Sequence, residues 1–333
     1  VITDYETYPK TVIIKQPSLE TDSFLYERIT FDFLQEQAPH LIPQIYGYDK
    51  DNKIIILEDL GDTKQALLGE ILFREDRAFA TETLLKFNQA LADLHLSTVD
   101  KKNIWDNLTI QHGRPSRVSR HRINHIIEAM VELPNHLKIL NIRLNDYALA
   151  DLTKAIECIS NPQQFLALVH GDSTPSNAML VEGNIRLFDF ETSNFRHCLL
   201  DGSFSRMRYL HSVWARKIPL DIQQESMQRY RDILLANHLT DEATFDEHFT
   251  ASCVAWLAGL FALLPSCINK DKRWGRSTNR QRIVTGLQHF MTVADELGHY
   301  QHLRDVCVDT EQSLKRLWSD EDCTMALYPA FID

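Results

Sequence analysis

Three side chains with oxygen donors lie close together in the sequence and could bind a divalent metal ion. Asp172 and Asn177 belong to the segment 170–177 (HGDSTPSN), and Asp189 begins the segment 189–191 (DFE). Carboxylate and amide oxygens are the ligands that Mg²⁺ prefers, with places kept for water and phosphate. Phosphoryl transfer uses such a set, together with a carboxylate that accepts the proton of the attacking hydroxyl. Alternatively, Asp172 and Asn177 only cap their own turn, and Asp189 ends a strand.

Lys15 and Glu27 form a second candidate pair. Lys15 ends the β-branched run 11–15, which predicts a strand. Glu27 lies three residues after Phe24 and four before Phe31, inside the apolar face of a predicted helix. A carboxylate there is unfavourable unless a cation meets it, and Lys15 is the natural partner. A lysine held in this way can reach the phosphates of a nucleotide. The alternative is a solvated Glu27 and an ordinary surface Lys15.

The predicted elements around the first set bring its residues together. A strand at 165–169 leads into the loop 170–177. A hairpin at 178–188, with its turn at 182–184, then returns the chain to Asp189. The two carboxylates and the carboxamide are therefore expected to converge at one end of a β-layer.

The chain divides into two parts of different character. The first sixty residues predict a small sheet with one helix, the strands at 11–15, 44–48 and 53–58 and the helix at 22–37. Helical patterns dominate from about residue 74 and again after residue 200. The sequence therefore predicts an α+β fold with a lobe 1–61 and a mostly helical lobe 62–333.

Composition narrows the class of protein. The 333 residues carry a formal net charge of −11, which argues against a nucleic-acid-binding protein, since those present a basic surface. The six cysteines are scattered, as is typical of reduced thiols, and no signal peptide is visible, so we expect a cytoplasmic protein. The apolar stretch 249–269 is too short and too interrupted for a bilayer span, and we expect a buried core helix and no membrane association.

The motifs resemble the protein-kinase-like superfamily, and within it the aminoglycoside phosphotransferase and choline kinase-like branch. The resemblance covers roughly residues 10 to 210. It rests on the two segments above, on Lys15 with Glu27, and on residues 56–61 (ILEDLG) and 90–95 (ALADLH). Asp201 falls where the family carries an Asp that opens the next helix.

The resemblance implies a bilobal kinase fold that binds ATP, with GTP as an alternative, and Mg²⁺ in the cleft between the lobes. By this resemblance, Asp172 is the catalytic base, and Asn177 and Asp189 are the Mg²⁺ ligands. The family phosphorylates hydroxyl groups of small molecules such as aminoglycosides, amino alcohols and sugars. The helices after residue 200 are then expected to select the acceptor.

The resemblance also implies the nucleotide contacts. Lys15, oriented by Glu27, contacts the phosphates, and the adenine bonds to backbone groups between Glu58 and Leu60. No glycine-rich phosphate loop is visible, since the first glycine is Gly47. We therefore expect that this loop and the strand before it precede Val1, or that a less recognisable segment replaces them.

Two other functions remain open at this point. One is a nucleotide-binding scaffold without catalysis, although such a scaffold needs no base at position 172. The other is a protein kinase, although no activation-segment motif is recognisable. The basic stretch 270–282, which surrounds Trp274, either binds an anionic acceptor or is a solvated loop and helix start, and we favour the second interpretation.

Overall fold

The computed structural model describes residues 9–17, 22–113 and 117–332, the side chains of 117–124 excepted. The first elements are strand β1 (Val12–Lys15), helix α1 (Ser23–Gln37), and strands β2 (Ile45–Asp49) and β3 (Ile54–Glu58). The three strands form an antiparallel sheet in the order β1-β3-β2. Residues 1–8 of the predicted lobe 1–61 and the expected phosphate loop lie outside the described residues.

The chain then becomes mainly helical. The predicted boundary at 61–62 lies in the connector between β3 and the next helix. Before the central strand pairs the helices are α2 (Thr63–Ala66), α3 (Leu68–Leu72), α4 (Arg77–Thr98), α5 (Lys102–His112), α6 (Arg117–Leu137) and α7 (Asp146–Ser160).

Two antiparallel strand pairs interrupt the helices, and the sequence predicts the first three of their four strands but not the last. Their strands are β4 (Leu166–Val169), β5 (Ala178–Val181), β6 (Asn184–Leu187) and β7 (Asn194–His197). Strand β4 pairs with β7, and β5 pairs with β6 around a turn in which Glu182 and Gly183 have positive φ angles. The loop 170–177 therefore leaves one pair and enters the other.

The last third of the chain is helical apart from one short hairpin. Its elements are α8 (Leu199–Gly202), α9 (Leu220–Ala236), α10 (Glu242–Phe261), α11 (Leu264–Cys267), β8 (Arg273–Trp274), β9 (Ser277–Thr278), α12 (Asn279–Leu297), α13 (Gln301–Leu317) and α14 (Asp320–Cys323). A small sheet with one helix, followed by a helical region with an embedded hairpin, confirms the predicted α+β fold.

Helix α10 supplies much of the core of the helical region. In the described part of the chain, the segment Glu242–Cys267 is long and apolar enough to cross a membrane, but 67% of its most apolar window is buried inside the protein. The helix packs against α6, α7 and α12. This agrees with the prediction that the apolar stretch 249–269 forms a core helix, although the helix ends at Phe261 and a short separate helix follows.

Candidate active site

A buried ion pair joins the sheet to the helical region. Lys15, at the end of β1, places its Nζ atom 2.7 Å from the Glu27 carboxylate and 2.5 Å from Asp189 Oδ1. Glu27 is fully buried in α1, whereas the side chains of Lys15 and Asp189 are 27% and 35% exposed. One ammonium group therefore ties together β1, α1 and the segment that follows β6.

Burial and charge act in opposite directions on this pair. Burial alone lowers the pKa of Lys15, but the carboxylates of Glu27 and Asp189 outweigh it and raise that pKa above its ordinary value. For Glu27, burial raises the pKa to about 7, and the nearby Lys15 ammonium only partly opposes this shift. The lysine thus stays charged, while Glu27 takes up a proton far more readily than an exposed carboxylate.

The loop 170–177 is shaped by a carboxylate from a later part of the chain. Asp201, buried in α8, accepts hydrogen bonds from the His170 backbone N–H at 2.6 Å and from the Ser173 hydroxyl at 2.9 Å. Burial would raise the pKa of Asp201, but His95 and other nearby groups outweigh burial and hold that pKa below its ordinary value. The Asp that the resemblance singled out near the start of α8 therefore fixes the first turn of the loop at two points.

A close backbone contact makes glycine necessary in this loop. Gly171 has a φ angle of +79°, and a Cβ atom there would lie 2.4 Å from the Thr192 carbonyl oxygen. Most side chains are strained in this backbone conformation, and none could occupy that space. The turn carries Asp172 past the end of β4, with a side chain that is 43% exposed.

Two groups hold the Asp172 carboxylate. Asn177 Nδ2 donates to Asp172 Oδ2 at 3.0 Å and to its backbone carbonyl at 2.9 Å. Arg208 donates to Asp172 Oδ1 at 2.7 Å and to the Gly171 carbonyl at 3.2 Å. The Arg208 guanidinium is nearly buried and lies over the Trp256 ring, 4.6 Å from its centroid. The carboxylate is therefore fixed in direction while part of it remains open to solvent.

Arg208 was not predicted from the sequence. It lies 36 residues after Asp172, in the short 3₁₀ helix Arg208–His211, and no motif marks it. A lone arginine in a helical segment most often pairs with a surface carboxylate, so only the three-dimensional contact identifies it.

Hydrogen bonds join the loop to the end of the β5–β6 hairpin. The Phe188 backbone N–H donates to the Asn177 carbonyl at 3.2 Å, and the His170 Nε2 atom bonds to the Phe188 carbonyl at 2.9 Å. The next residue, Asp189, has a φ angle of +68°, a left-handed conformation that ends the extended backbone of the hairpin. The predicted site residues Asp172, Asn177 and Asp189 are thereby brought into one small region.

These residues fit a divalent metal ion by the chemistry of their donor atoms. Both described bonds of the Asn177 amide nitrogen go to Asp172, so the amide oxygen is available as a ligand. Asp189 adds a partly exposed carboxylate. Among the described residues no group of three or more His, Cys, Asp and Glu could hold a metal. The candidate ligands are the Asn177 amide oxygen and the Asp189 carboxylate. Such oxygen donors suit Mg²⁺ and leave places for water and phosphate.

A cleft of about 380 Å³ opens next to the buried ion pair. Apolar side chains form much of its wall, and the connector after β3 forms its rim. The residues that line it include Ile14, Lys15, Glu27, Leu57, Glu58, Asp59, Leu60, Met179, Phe188 and Asp189. The positions predicted to meet an adenine, Glu58 and Leu60, therefore lie on the same cleft as the predicted phosphate contact. Asp172 and Asn177 are not on its wall and connect to it through the hairpin that ends at Asp189.

The carboxylate of Glu58 has a structural partner. Its Oε2 atom accepts a hydrogen bond from the Gln44 backbone N–H at 2.9 Å, and its own N–H donates to the Gln44 carbonyl at 2.8 Å. The Glu58 side chain is thus held by the backbone of Gln44, the residue before β2. The contact of backbone groups between Glu58 and Leu60 with a nucleotide base stays a prediction.

No protein-family model matches this sequence, and no curated protein sequence matches it. Solved structures do match. A choline/ethanolamine kinase family protein from Mesorhizobium loti has a TM-score of 0.49 and 12% identity, over 88% of this chain and 87% of that chain. An ethanolamine kinase from Plasmodium vivax has a TM-score of 0.47 and 16% identity, over 85% and 76%.

An ADP-bound aminoglycoside phosphotransferase also matches, with a TM-score of 0.44 and 13% identity, over 89% of this chain and 88% of that chain. These are the kinds of protein that the sequence motifs resemble. At such identities the likeness concerns the fold alone.

Proposed function

We propose that this protein is a small-molecule kinase, which transfers the γ-phosphoryl group of ATP to a hydroxyl group of a small acceptor. The observation that carries the proposal is the Lys15 ammonium, held between Glu27 and Asp189 on the wall of the cleft. A charged lysine that is fixed by two carboxylates beside an apolar cleft suits a nucleotide, whose base is flat and apolar and whose phosphates are anionic.

In this proposal, different residues bind the nucleotide and accept the proton during phosphoryl transfer. The nucleotide base binds in the apolar part of the cleft, and Lys15 orients the nucleotide phosphates. Asp172, held in direction by Arg208, takes the proton of the acceptor hydroxyl. The acceptor oxygen forms a bond to the γ-phosphorus as the bond from phosphorus to the ADP oxygen breaks, so the products are ADP and the phosphorylated acceptor.

A Mg²⁺ ion belongs to the same proposal. Asn177 and Asp189 are the residues that would hold it, and a bound Mg²⁺ would neutralise charge on the phosphates. Asp189 also pairs with Lys15, which brings a candidate metal ligand next to the predicted phosphate contact. GTP is an alternative donor that the same cleft could accept.

A cytoplasmic location fits the state of the cysteines. All six are free thiols, and five of them are buried. Reduced, unpaired cysteines are typical of proteins from reducing compartments. We include this location in the proposal.

Acceptor-dependent release of ADP tests the function. Purified protein with ATP and Mg²⁺ is assayed against amino alcohols, aminoglycosides and sugars, and an enzyme gives ADP with at least one acceptor. A nucleotide-binding scaffold binds ATP and releases no ADP with any of them. A protein kinase phosphorylates a peptide or protein substrate instead, and either result rejects the proposal.

The variant Asp172→Asn tests the catalytic base. Asparagine keeps the shape of the side chain and a hydrogen bond to Arg208 but cannot accept the proton, so turnover should fall by at least about 100-fold. Nucleotide affinity, measured by calorimetry, should change little. The control Asp106→Asn alters an exposed carboxylate that pairs with Lys102, and it should behave like the parent. Equal turnover in Asp172→Asn would remove Asp172 from its assigned role.

A further inference from the structure

Three arginines without carboxylate partners lie near one another in the helical region. Arg273 and Arg276 are exposed on the β8–β9 hairpin, and Arg216 is half-buried close to them. Wherever the structure describes side chains, none of the three forms an ion pair, unlike the neighbouring Arg280. The pKa of Arg216 is below its ordinary value, mainly because the group is partly buried and also because the positive charges of Arg273 and Arg276 lie nearby. These guanidinium groups therefore repel one another in a chain whose net charge is −11.

The hairpin that carries two of these arginines is fixed to the rest of the protein. Gly275 has a φ angle of +66°, and a Cβ atom there would lie 2.0 Å from the Val213 carbonyl oxygen, so the backbones touch. The Arg276 N–H donates to the same carbonyl at 2.8 Å. Arg282, fully buried, donates to one backbone carbonyl in the hairpin and to another in the 3₁₀ helix 208–211. The hairpin is thus held in one position on the segment that begins with that 3₁₀ helix.

This position is beside the loop that carries the proposed base. The Arg276 guanidinium lies over the Trp214 ring, 5.5 Å from its centroid. The same ring packs directly on Gly69, where a Cβ atom would be 2.8 Å away. The Gly69 N–H in turn donates to the carbonyl of Pro175, in the loop 170–177, at 2.9 Å. A chain of direct contacts therefore connects Arg276 to the loop 170–177.

The basic residues of the stretch 270–282 have different environments. Arg280 forms an ion pair and donates to two backbone carbonyls, and Arg282 is the buried link described above. These two have a structural role, although Arg282 is not solvated as the sequence predicts for this stretch. Arg273 and Arg276 differ, because both residues are exposed and neither forms an ion pair with a carboxylate in the described part of the protein. The Arg276 guanidinium is stacked on the Phe73 and Trp214 rings.

We infer, on the basis of the proposed kinase activity, that the acceptor carries an anionic group in addition to its reacting hydroxyl. Arg216, Arg273 and Arg276 bind that group, which is a phosphate, a sulfate or a carboxylate. Guanidinium groups donate paired hydrogen bonds to such anions, and an anion relieves the repulsion among the three. The Trp274 ring, 47% exposed and backed by Arg282, offers a face for a sugar or other ring of the acceptor.

Matched acceptors test the charge of the substrate. ADP release is measured with a hexose and its monophosphate, with a sugar acid, with a sulfated sugar, and with a neutral and a cationic amino alcohol. The anionic member of a pair should give a kcat/KM at least about 10-fold higher than its neutral counterpart. The three anionic acceptors distinguish phosphate, sulfate and carboxylate. A preference for neutral or cationic acceptors overturns the inference and leaves the kinase activity standing.

Variants of Arg273 and Arg276, two of the three arginines, test which residues bind the anion. Arg273→Gln and Arg276→Gln should lower kcat/KM for the anionic acceptor about 10-fold each, and should lower it much less for a neutral acceptor. Arg276→Lys keeps the charge and should recover part of the loss. Arg316→Gln, which changes an exposed arginine on α13, is the matched control. Equal losses with neutral and anionic acceptors would mean a structural role and would overturn the inference.

A binding measurement separates the two proposals. Inorganic phosphate and sulfate are titrated into the whole chain by calorimetry, with and without a saturating nucleotide. Anion binding that is lost in Arg273→Gln and Arg276→Gln, in a protein with no turnover of any acceptor, supports the anion site and rejects the kinase. Heparin, a polyanion, is titrated in the same way. Binding to heparin but not to phosphate or sulfate, without any effect on turnover, rejects the acceptor site.

Discussion

At the scale of single residues, the least expected feature is the arginine on the proposed catalytic base. Arg208 donates to both Asp172 and the Gly171 carbonyl, and its guanidinium is nearly buried. A hydrogen bond of this kind fixes the direction of the carboxylate and lowers the number of orientations that the loop can take. In the proposed mechanism the arginine acts through Asp172 and is a positioning residue.

The variant Arg208→Lys should separate positioning from binding. A lysine keeps the charge but lacks the planar guanidinium that lies over the Trp256 ring, so kcat should fall about 10- to 100-fold while the KM for ATP stays within about 2-fold. Steady-state kinetics and thermal unfolding are the measurements. Arg231→Lys is the matched control, since Arg231 is also part-buried, pairs with Asp246 and lies over a phenyl ring. Parental kcat in Arg208→Lys would contradict the positioning role.

Glu27 should impose a pH dependence on stability. Its pKa is about 7 in the folded protein and near 4.5 when unfolded, so between these values the folded state holds a proton that the unfolded state has lost. The free energy of unfolding should therefore fall as pH rises through this window, by up to about 1.4 kcal/mol per pH unit.

The variant Glu27→Gln removes this slope, because glutamine does not titrate. Urea unfolding at about pH 5, 6, 7 and 8 should show that the parent loses stability relative to Glu27→Gln as pH rises. Glu36→Gln, which changes an exposed glutamate on the same helix, should keep the parental slope. Parallel curves for the parent and Glu27→Gln would show that burial does not shift this group.

At the scale of elements, the loop 170–177 depends on a glycine that no other residue can replace. Gly171 combines a positive φ angle with a backbone contact to Thr192, whereas Gly183, in the β5–β6 turn, has a similar φ angle of +81° and open space around it. Alanine substitutions at these two positions therefore distinguish the cost of a positive φ angle from the additional cost of a backbone clash.

The substitution Gly183→Ala should lower the free energy of unfolding by about 1 kcal/mol, which is the cost of the left-handed conformation. Gly171→Ala meets the Thr192 carbonyl as well, so it should cost clearly more and should also reduce phosphoryl transfer at least about 10-fold. Urea unfolding and ADP release are the measurements. Equal effects of the two substitutions on both would show that the loop can absorb the added methyl group.

The elements were predictable where local pattern decides them. The β-branched runs predict β1 and β3, and the turn at 182–184 predicts the hairpin, because strand and turn preferences are local. Glu27 was predictable as a buried carboxylate because its neighbours have helical spacing. These elements carry the residues from which the site was first inferred.

The arginines of the site were not predictable in the same way. The basic stretch 270–282, which contains Arg273 and Arg276, stands out in the sequence, which leaves open whether it binds an anionic acceptor. No motif or spacing marks Arg208 and Arg216, because their surroundings depend on how the helices and the β8–β9 hairpin pack. The structural role of Arg282 was hidden for the same reason.

At the scale of the whole molecule, a buried histidine of the helical region makes the stability of the folded protein depend on pH. The His289 ring donates from Nδ1 to the Arg206 carbonyl and accepts at Nε2 from Gln223, so it must be neutral to make both bonds. Burial lowers its pKa to about 4. The ring therefore favours the folded state only while it carries no charge.

Stability should fall as the solution is made acidic. An unfolded histidine takes up a proton below about pH 6.5, whereas His289 in the folded protein resists until about pH 4, so stability is full above pH 6.5 and declines toward pH 4. The variant His289→Gln should be less stable at about pH 7.5 but should show a shallower decline. Urea midpoints measured across this range test the prediction, and an unchanged slope would assign the decline to other groups.

Asp201 and Arg208 both come after the loop they shape, and this order matters when the chain is made. During synthesis the ribosome releases Asp172 well before the two residues that fix its surroundings. The turn that carries Asp172 therefore lacks these contacts in the nascent chain until α8 and the 3₁₀ helix that follows it have emerged. A polypeptide interrupted before that point carries the motif without the contacts that orient it.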